Sequence, residues 1–161
     1  MAETKRLIFL HGLESSSQGI KAQLLREQFP GILTPDFRGS LDERMASLRL
    51  ILGEQGRWAI IGSSFGGLMA TIFACERPRQ VQKLVLLAPA LIWPDFASAL
   101  PAPLDIPTVI YHGTRDEHIP LDAVRQIAWQ VFTNLDFRVV DDDHGLYQTV
   151  HAIDWPHLIG G

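Results

Sequence analysis

Residues 62–66 read Gly-Ser-Ser-Phe-Gly, the spacing G-x-S-x-G, in which a serine stands two positions from a glycine on either side. A serine hydroxyl attacks a carbonyl carbon only when a neighbouring base takes its proton. A tight strand-to-helix turn lifts such a side chain clear, provided its neighbours are almost bare, because strand and helix pass close together there. The pattern selects Ser64, and Ser63 occupies the unrestricted position. A plain Gly-Ser turn capping a helix is the competing reading. An apolar run before the corner, helical periodicity after it and partners downstream in the order Ser, Asp, His favour the nucleophile.

Six histidines compete for the role of base. His144, in "DDDHGL", follows the last apolar run and has a glycine beside it to let the loop turn. His118 comes second, but it lies two residues from the favoured acid, and one short loop has little room to align both with the serine. His11 and His112 each end an apolar run before a glycine, where an imidazole satisfies local backbone groups; His151 and His157 read as surface residues. The far nitrogen of the base needs an acceptor that fixes its tautomer. Asp116 is the first choice and Asp95 the alternative, while Asp141, Asp142 and Asp143 read as a solvated acidic turn. Glu14 and Asp36 read as surface or loop-fixing acids. Two N–H donors would stabilise an oxyanion, one from Phe65, after the serine, and one from Leu13, in the turn after the first apolar run.

These groups need elements to bring them together. Six apolar runs recur: 7–11, 32–35, 58–62, 84–88, 108–112 and 137–140. Several lack alternation, as strands covered on both faces do. Between them, Leu41, Met45, Leu48 and Leu52 repeat at helical spacing behind a Ser40/Glu43 capping signature. Phe65, Leu68, Met69, Ile72 and Phe73 predict a second helix, closed by Pro78. A third starts at Pro120, and a fourth runs from about Leu146 to about Trp155. Residues 90–106 are the longest irregular stretch, with room for one short helix. Strands alternating with helices predict one domain over residues 1–161, a three-layer αβα sandwich around a mostly parallel six-stranded sheet. In such sheets reactive groups gather beyond the carboxyl ends of the strands, where the serine, acid and histidine all stand.

Composition narrows the partners. The chain has 161 residues, 47% hydrophobic and 20% charged, with a net charge of −4. No basic stripe offers itself to nucleic acid. Lys5-Arg6 precedes an apolar run too short for a signal core or a membrane span. The single cysteine, Cys75, forms no internal disulfide and reads as packing; cytoplasm is the expected address. The histidine spacings match no zinc motif, so neither metal nor organic cofactor is expected.

The motifs "LIFLHGLESSSQGIKAQLL", "TPDFRG", "IIGSSFGG", "LVLLAPAL", "IYHGTRDEHIP" and "DDDHGL" together resemble the α/β-hydrolase superfamily, in particular its small bacterial serine esterases of the YqiA-like kind. The resemblance implies Ser64 as nucleophile, Asp116 as acid, His144 as base, and Leu13 and Phe65 as oxyanion donors. Two departures stand out. The opening strands of a full-length hydrolase are expected to be missing, and residues 90–106 are too short for a lid. An open, shallow site for small carboxylic esters follows, working through an acyl-enzyme. Cleavage of thioesters, amides or carbon–carbon bonds by the same residues is an alternative, as is a binding protein that keeps the fold without turnover. Trp93, Phe96, Leu13 and Leu146 are candidates to line the acyl pocket.

Overall fold

Every residue of Trp58–Ser63 and of Thr108–Gly113 is buried, as strands are when helices cover both faces of their sheet. The computed structural model describes Arg6–Gly160; Lys5 lies outside the described residues. The strands are β1 (Arg6–Leu10), β2 (Trp58–Ser63), β3 (Val81–Leu87), β4 (Thr108–Gly113) and β5 (Leu135–Val140). The helices are α1 (Ile20–Gln28), α2 (Leu41–Leu52), α3 (Phe65–Glu76), α4 (Pro94–Ala97), α5 (Leu121–Val131), α6 (Tyr147–Ala152) and α7 (Trp155–Gly160). All five strands pair in parallel, in the order β1-β2-β3-β4-β5.

The helices divide the core into two layers. Met45, Leu48 and Leu52 of α2, Leu68, Met69 and Phe73 of α3, and Val124, Ala128 and Val131 of α5 pack together on one face. Ala22 and Leu25 of α1, Val150 of α6, and Trp155 and Leu158 of α7 cover the other. The capping signature before α2 forms: Glu43 N donates to Ser40 Oγ, and Ser40 N donates to Glu43 Oε1. Among the described residues no helix is long and apolar enough to cross a membrane.

Four expectations need correction. The run 32–35 is not a sixth strand. Leu33 alone pairs with β1, through Phe9 N to Leu33 O and Leu33 N to Leu7 O. Pro35 has no N–H to extend the ladder, and Asp36 is drawn away to Ser17 by two hydrogen bonds. The expected terminal helix is two helices. Pro156 in a continuous helix would clash with the carbonyl of residue 152 and lack its donor. Ile153 therefore turns extended, and Asp154 restarts the helix by accepting from His157 N. Helix α1 was not among the predicted elements. Its buried residues are Ala22 and Leu25 alone, too thin an apolar face to announce a helix. Asp142, placed in a solvated turn, is buried.

The course of the chain locates a crevice. After β1 it passes to the outer side at Leu33 and then returns through α2 to β2, on the inner side of β1. The loops leaving β1 and β2 thus diverge, and such a switch point opens a cleft at the carboxyl end of the sheet.

Candidate active site

Ser64 sits in that cleft with φ 55° and ψ −114°, a conformation that few side-chain-bearing residues adopt. The close approach of strand and helix requires the flanking glycines. A Cβ at Gly62 would lie 2.5 Å from Gly66 O, and one at Gly66 would lie 2.0 Å from Leu10 O. Backbone bonds hold the strained corner. Ser64 N donates to Leu87 O at 2.9 Å, and Ser64 O accepts from Gly67 N and Ala90 N.

The loop after β4 presents Asp116, whose side chain is fully buried. Its Oδ1 accepts from Ile119 N at 2.8 Å and His118 N at 2.9 Å. The loop after β5 presents His144, half-buried. Its Nδ1 lies 2.8 Å from Asp116 Oδ2, and its Nε2 lies 3.1 Å from Ser64 Oγ. Since the carboxylate can only accept, Nδ1 carries the proton and Nε2 is left to accept from the serine. Burial pushes the Asp116 pKa up, but the donors Ile119 N, His144 and His118 N together outweigh it and hold the carboxyl below its usual range.

Two groups behind these residues were not singled out for the site by the sequence. His112, fully buried, has Nε2 2.9 Å from Ile119 O and 3.3 Å from Asp116 Oδ2, the oxygen that His144 also meets. Burial lowers its pKa against the smaller opposing pull of Ile119 O and Asp116, so the ring is neutral and donates. Asp142 fastens the histidine loop. Its Oδ2 accepts from Thr149 N and Thr149 Oγ1, and its Oδ1 from Asp143 N. Burial raises the Asp142 pKa, and these donors reverse the shift. The Asp142 carbonyl accepts from Arg115 N and packs where a Cβ at Gly113 would fall, 2.2 Å away. The loops carrying Asp116 and His144 are thereby laced together. Only tertiary contact reveals either role.

The remaining candidates are placed as follows. Asp95 lies in the first turn of α4, in a separate shallow groove with Leu41, Cys75 and Pro101. His118 is exposed, its ring centroid 5.1 Å from that of His144. His11 is tied locally, with Nδ1 at Gly12 O and Nε2 accepting from Phe37 N. Asp141 is exposed and pairs with Arg115. Half-buried Cys75 packs against the core, and burial pushes its thiol up to about 12. Among the described residues no group of three or more His, Cys, Asp or Glu could hold a metal ion.

A cleft of about 670 Å³ opens over Ser64 and His144, bounded by Leu13, Ile20, Lys21 and Tyr147. Of the four proposed pocket residues only Leu13 lines it. Trp93 stacks on Phe65 at 5.1 Å, while Phe96 and Leu146 are buried in the core. Lys21 places its ammonium 4.9 Å from the centre of the Tyr147 ring, and burial lowers its pKa against the pull of Asp143 and Asp142. Phe65 opens α3, where first-turn N–H groups have no partner within the helix. The arrangement can take a proton from a serine hydroxyl, and the backbone N–H groups of Phe65 and Leu13 have no acceptor among the described residues.

A family model described as the alpha/beta hydrolase fold matches residues 35–102. No curated protein sequence matches the chain. Among solved structures, one named as a hydrolase of the alpha/beta superfamily, from Xanthomonas campestris pv. campestris, is 28% identical. That match covers 92% of this chain and 93% of the other, with a TM-score of 0.75. Alpha/beta hydrolase domain-containing protein 10 from mouse is 20% identical, with 99% and 88% covered and a TM-score of 0.79. The esterase Pf2001 of Pyrococcus furiosus is 20% identical, with 97% and 81% covered and a TM-score of 0.77. Together with the parallel sheet and the serine corner at its switch point, these likenesses show that the chain has the alpha/beta-hydrolase fold.

Proposed function

We propose that the protein is a small serine hydrolase that cleaves carboxylic esters through an acyl-enzyme. One observation carries the reading: Ser64 Oγ, His144 and the buried Asp116 carboxylate stand in a hydrogen-bonded line at 3.1 and 2.8 Å. Ser64 Oγ attacks the ester carbonyl while His144 Nε2 takes its proton. The imidazolium formed is stabilised by Asp116, and the negative oxygen by the N–H groups of Leu13 and Phe65. His144 then gives the proton to the departing alcohol. Water, deprotonated by the same nitrogen, attacks the acyl carbon and releases the acid.

A fluorophosphonate probe, which reacts with activated serines, is expected to label the protein and to fail on Ser64→Ala. Turnover of a p-nitrophenyl ester by that variant is expected to fall on the order of 10⁶-fold, as in other triads. An unlabelled wild-type protein would mark a binding module instead, and undiminished hydrolysis by the variant would remove Ser64 from the chemistry.

A further inference from the structure

The loop Gly12–Gly19 separates the cleft at Ser64 from a second hollow of about 470 Å³. Leu13, Ser15 and Gln18 line both, so the two hollows adjoin along this loop. Three charged residues line the second hollow: Asp36, Arg38 and Arg44. Asp36 is already engaged. Its carboxylate accepts from Ser17 N at 2.7 Å and Ser17 Oγ at 2.9 Å, which holds its pKa below the usual range. His11, also in the wall, has both ring nitrogens occupied as a neutral ring. Arg38 is exposed, and no carboxylate among the described residues lies within ion-pair distance of it.

Arg44 is the anomaly. It is 6% exposed, yet no carboxylate among the described residues pairs with it. Its Nε donates to Gly39 O at 3.0 Å, and its Cζ stands 5.4 Å from the centre of the Phe65 ring. Its Nη1 is buried without a hydrogen-bond partner. A guanidinium stays charged, and a buried charge is costly unless an opposite charge meets it. The face of Phe65 offsets only part of that cost. The residue forms part of the wall of the hollow.

We propose that the hollow is an anion-binding subsite, where Arg44 and Arg38 hold a carboxylate or phosphate group carried by the ester whose carbonyl lies at Ser64. This rests on the hydrolase reading and gives it a substrate class, acidic esters. With two guanidinium groups against one engaged carboxylate, the hollow keeps a net positive charge. An anion there would supply the counter-charge that the fold withholds from Arg44.

Two p-nitrophenyl esters of equal chain length test the claim: the adipate monoester, ending in a carboxylate, and the neutral hexanoate. The wild-type protein is expected to show the higher kcat/KM on the adipate. Arg44→Gln should lower the adipate-to-hexanoate ratio about tenfold or more, and Arg44→Lys less, since charge remains while the fork is lost. Should the buried variant fail to fold, Arg38→Gln on the rim should lower the ratio severalfold, an effect that shrinks in high salt. A wild-type ratio at or below one, or a ratio that no folded variant changes, overturns the proposal. Calorimetry on Ser64→Ala needs no turnover. Inorganic phosphate or acetate should bind in competition with the adipate product, and whichever binds identifies the anion. Binding of neither also overturns the proposal. Labelled protein that cleaves both esters without discrimination lacks the subsite and remains a hydrolase. Protein that binds the anion through Arg44 but cleaves neither ester keeps the subsite and loses the hydrolase reading.

Discussion

Asp116 and His112 show how a site made of buried titratable groups ties stability to pH. Both have folded-state pKa values below their ordinary ones. In each case the unfolded chain binds a proton that the folded chain resists, so stability rises with pH across the interval. For His112 the loss begins as pH falls below about 6.5; for Asp116 it begins near about 3.9 and continues down to its own lowered value. Urea midpoints are therefore expected to decline in two stages on acidification. His112→Gln, which keeps a donor for Ile119 O, should flatten the upper stage; an unaltered profile would show that the ring does not set it. Asp116 was legible in sequence as the acceptor for His144, whereas His112 as its second neighbour was not. "HGTRD" shows an imidazole four residues from a carboxylate, but only the folded loops bring His112 and His144 to the same oxygen, Asp116 Oδ2. The line from Ser64 to His144 was readable, because each member follows a strand and the strands are parallel.

At the scale of elements, what patterning decides was legible and what packing decides was not. The apolar runs at 58–62 and 108–112 became the fully buried β2 and β4, and the capping signature at Ser40 became a formed cap. The run 32–35 had the composition of a strand, yet Pro35 and the pull on Asp36 leave one paired residue. Helix α1 shows too little apolar periodicity to be seen, since Ile20 and Gln23 face outward. The join between β5 and α6 carries the prediction for this scale. Thr149→Val removes the hydroxyl donor to buried Asp142 and leaves a carboxylate short of one partner, at a cost of about 1–3 kcal/mol. The loop that aims His144 should loosen, so kcat/KM is expected to fall about tenfold while circular dichroism is retained. Full activity would mean that Asp142 serves α6 alone.

Across the whole molecule, the site has no local home. Ser64, Asp116 and His144 come from the ends of β2, β4 and β5, and the opposing wall of the cleft comes from the loop after β1. Register along the entire sheet sets their distances. Ester hydrolysis and far-ultraviolet ellipticity are therefore expected to disappear in one coincident urea transition. Activity lost at lower urea would reveal a rim that melts apart from the sheet.

The rim also bears on the fate of the acyl group in the proposed reaction. Leu13 is 50% exposed, and with Ile20 and Tyr147 it forms a border that solvent meets directly. Bulk solvent at roughly 55 M reaches such a border without a gate, so a competing alcohol must approach molar strength to intercept the intermediate. Added methanol at tenth-molar strength should thus yield almost entirely free acid, and abundant methyl ester at that strength would reveal a shielded cavity around the bound acyl chain. An enzyme of this shape would spend esters rather than exchange them.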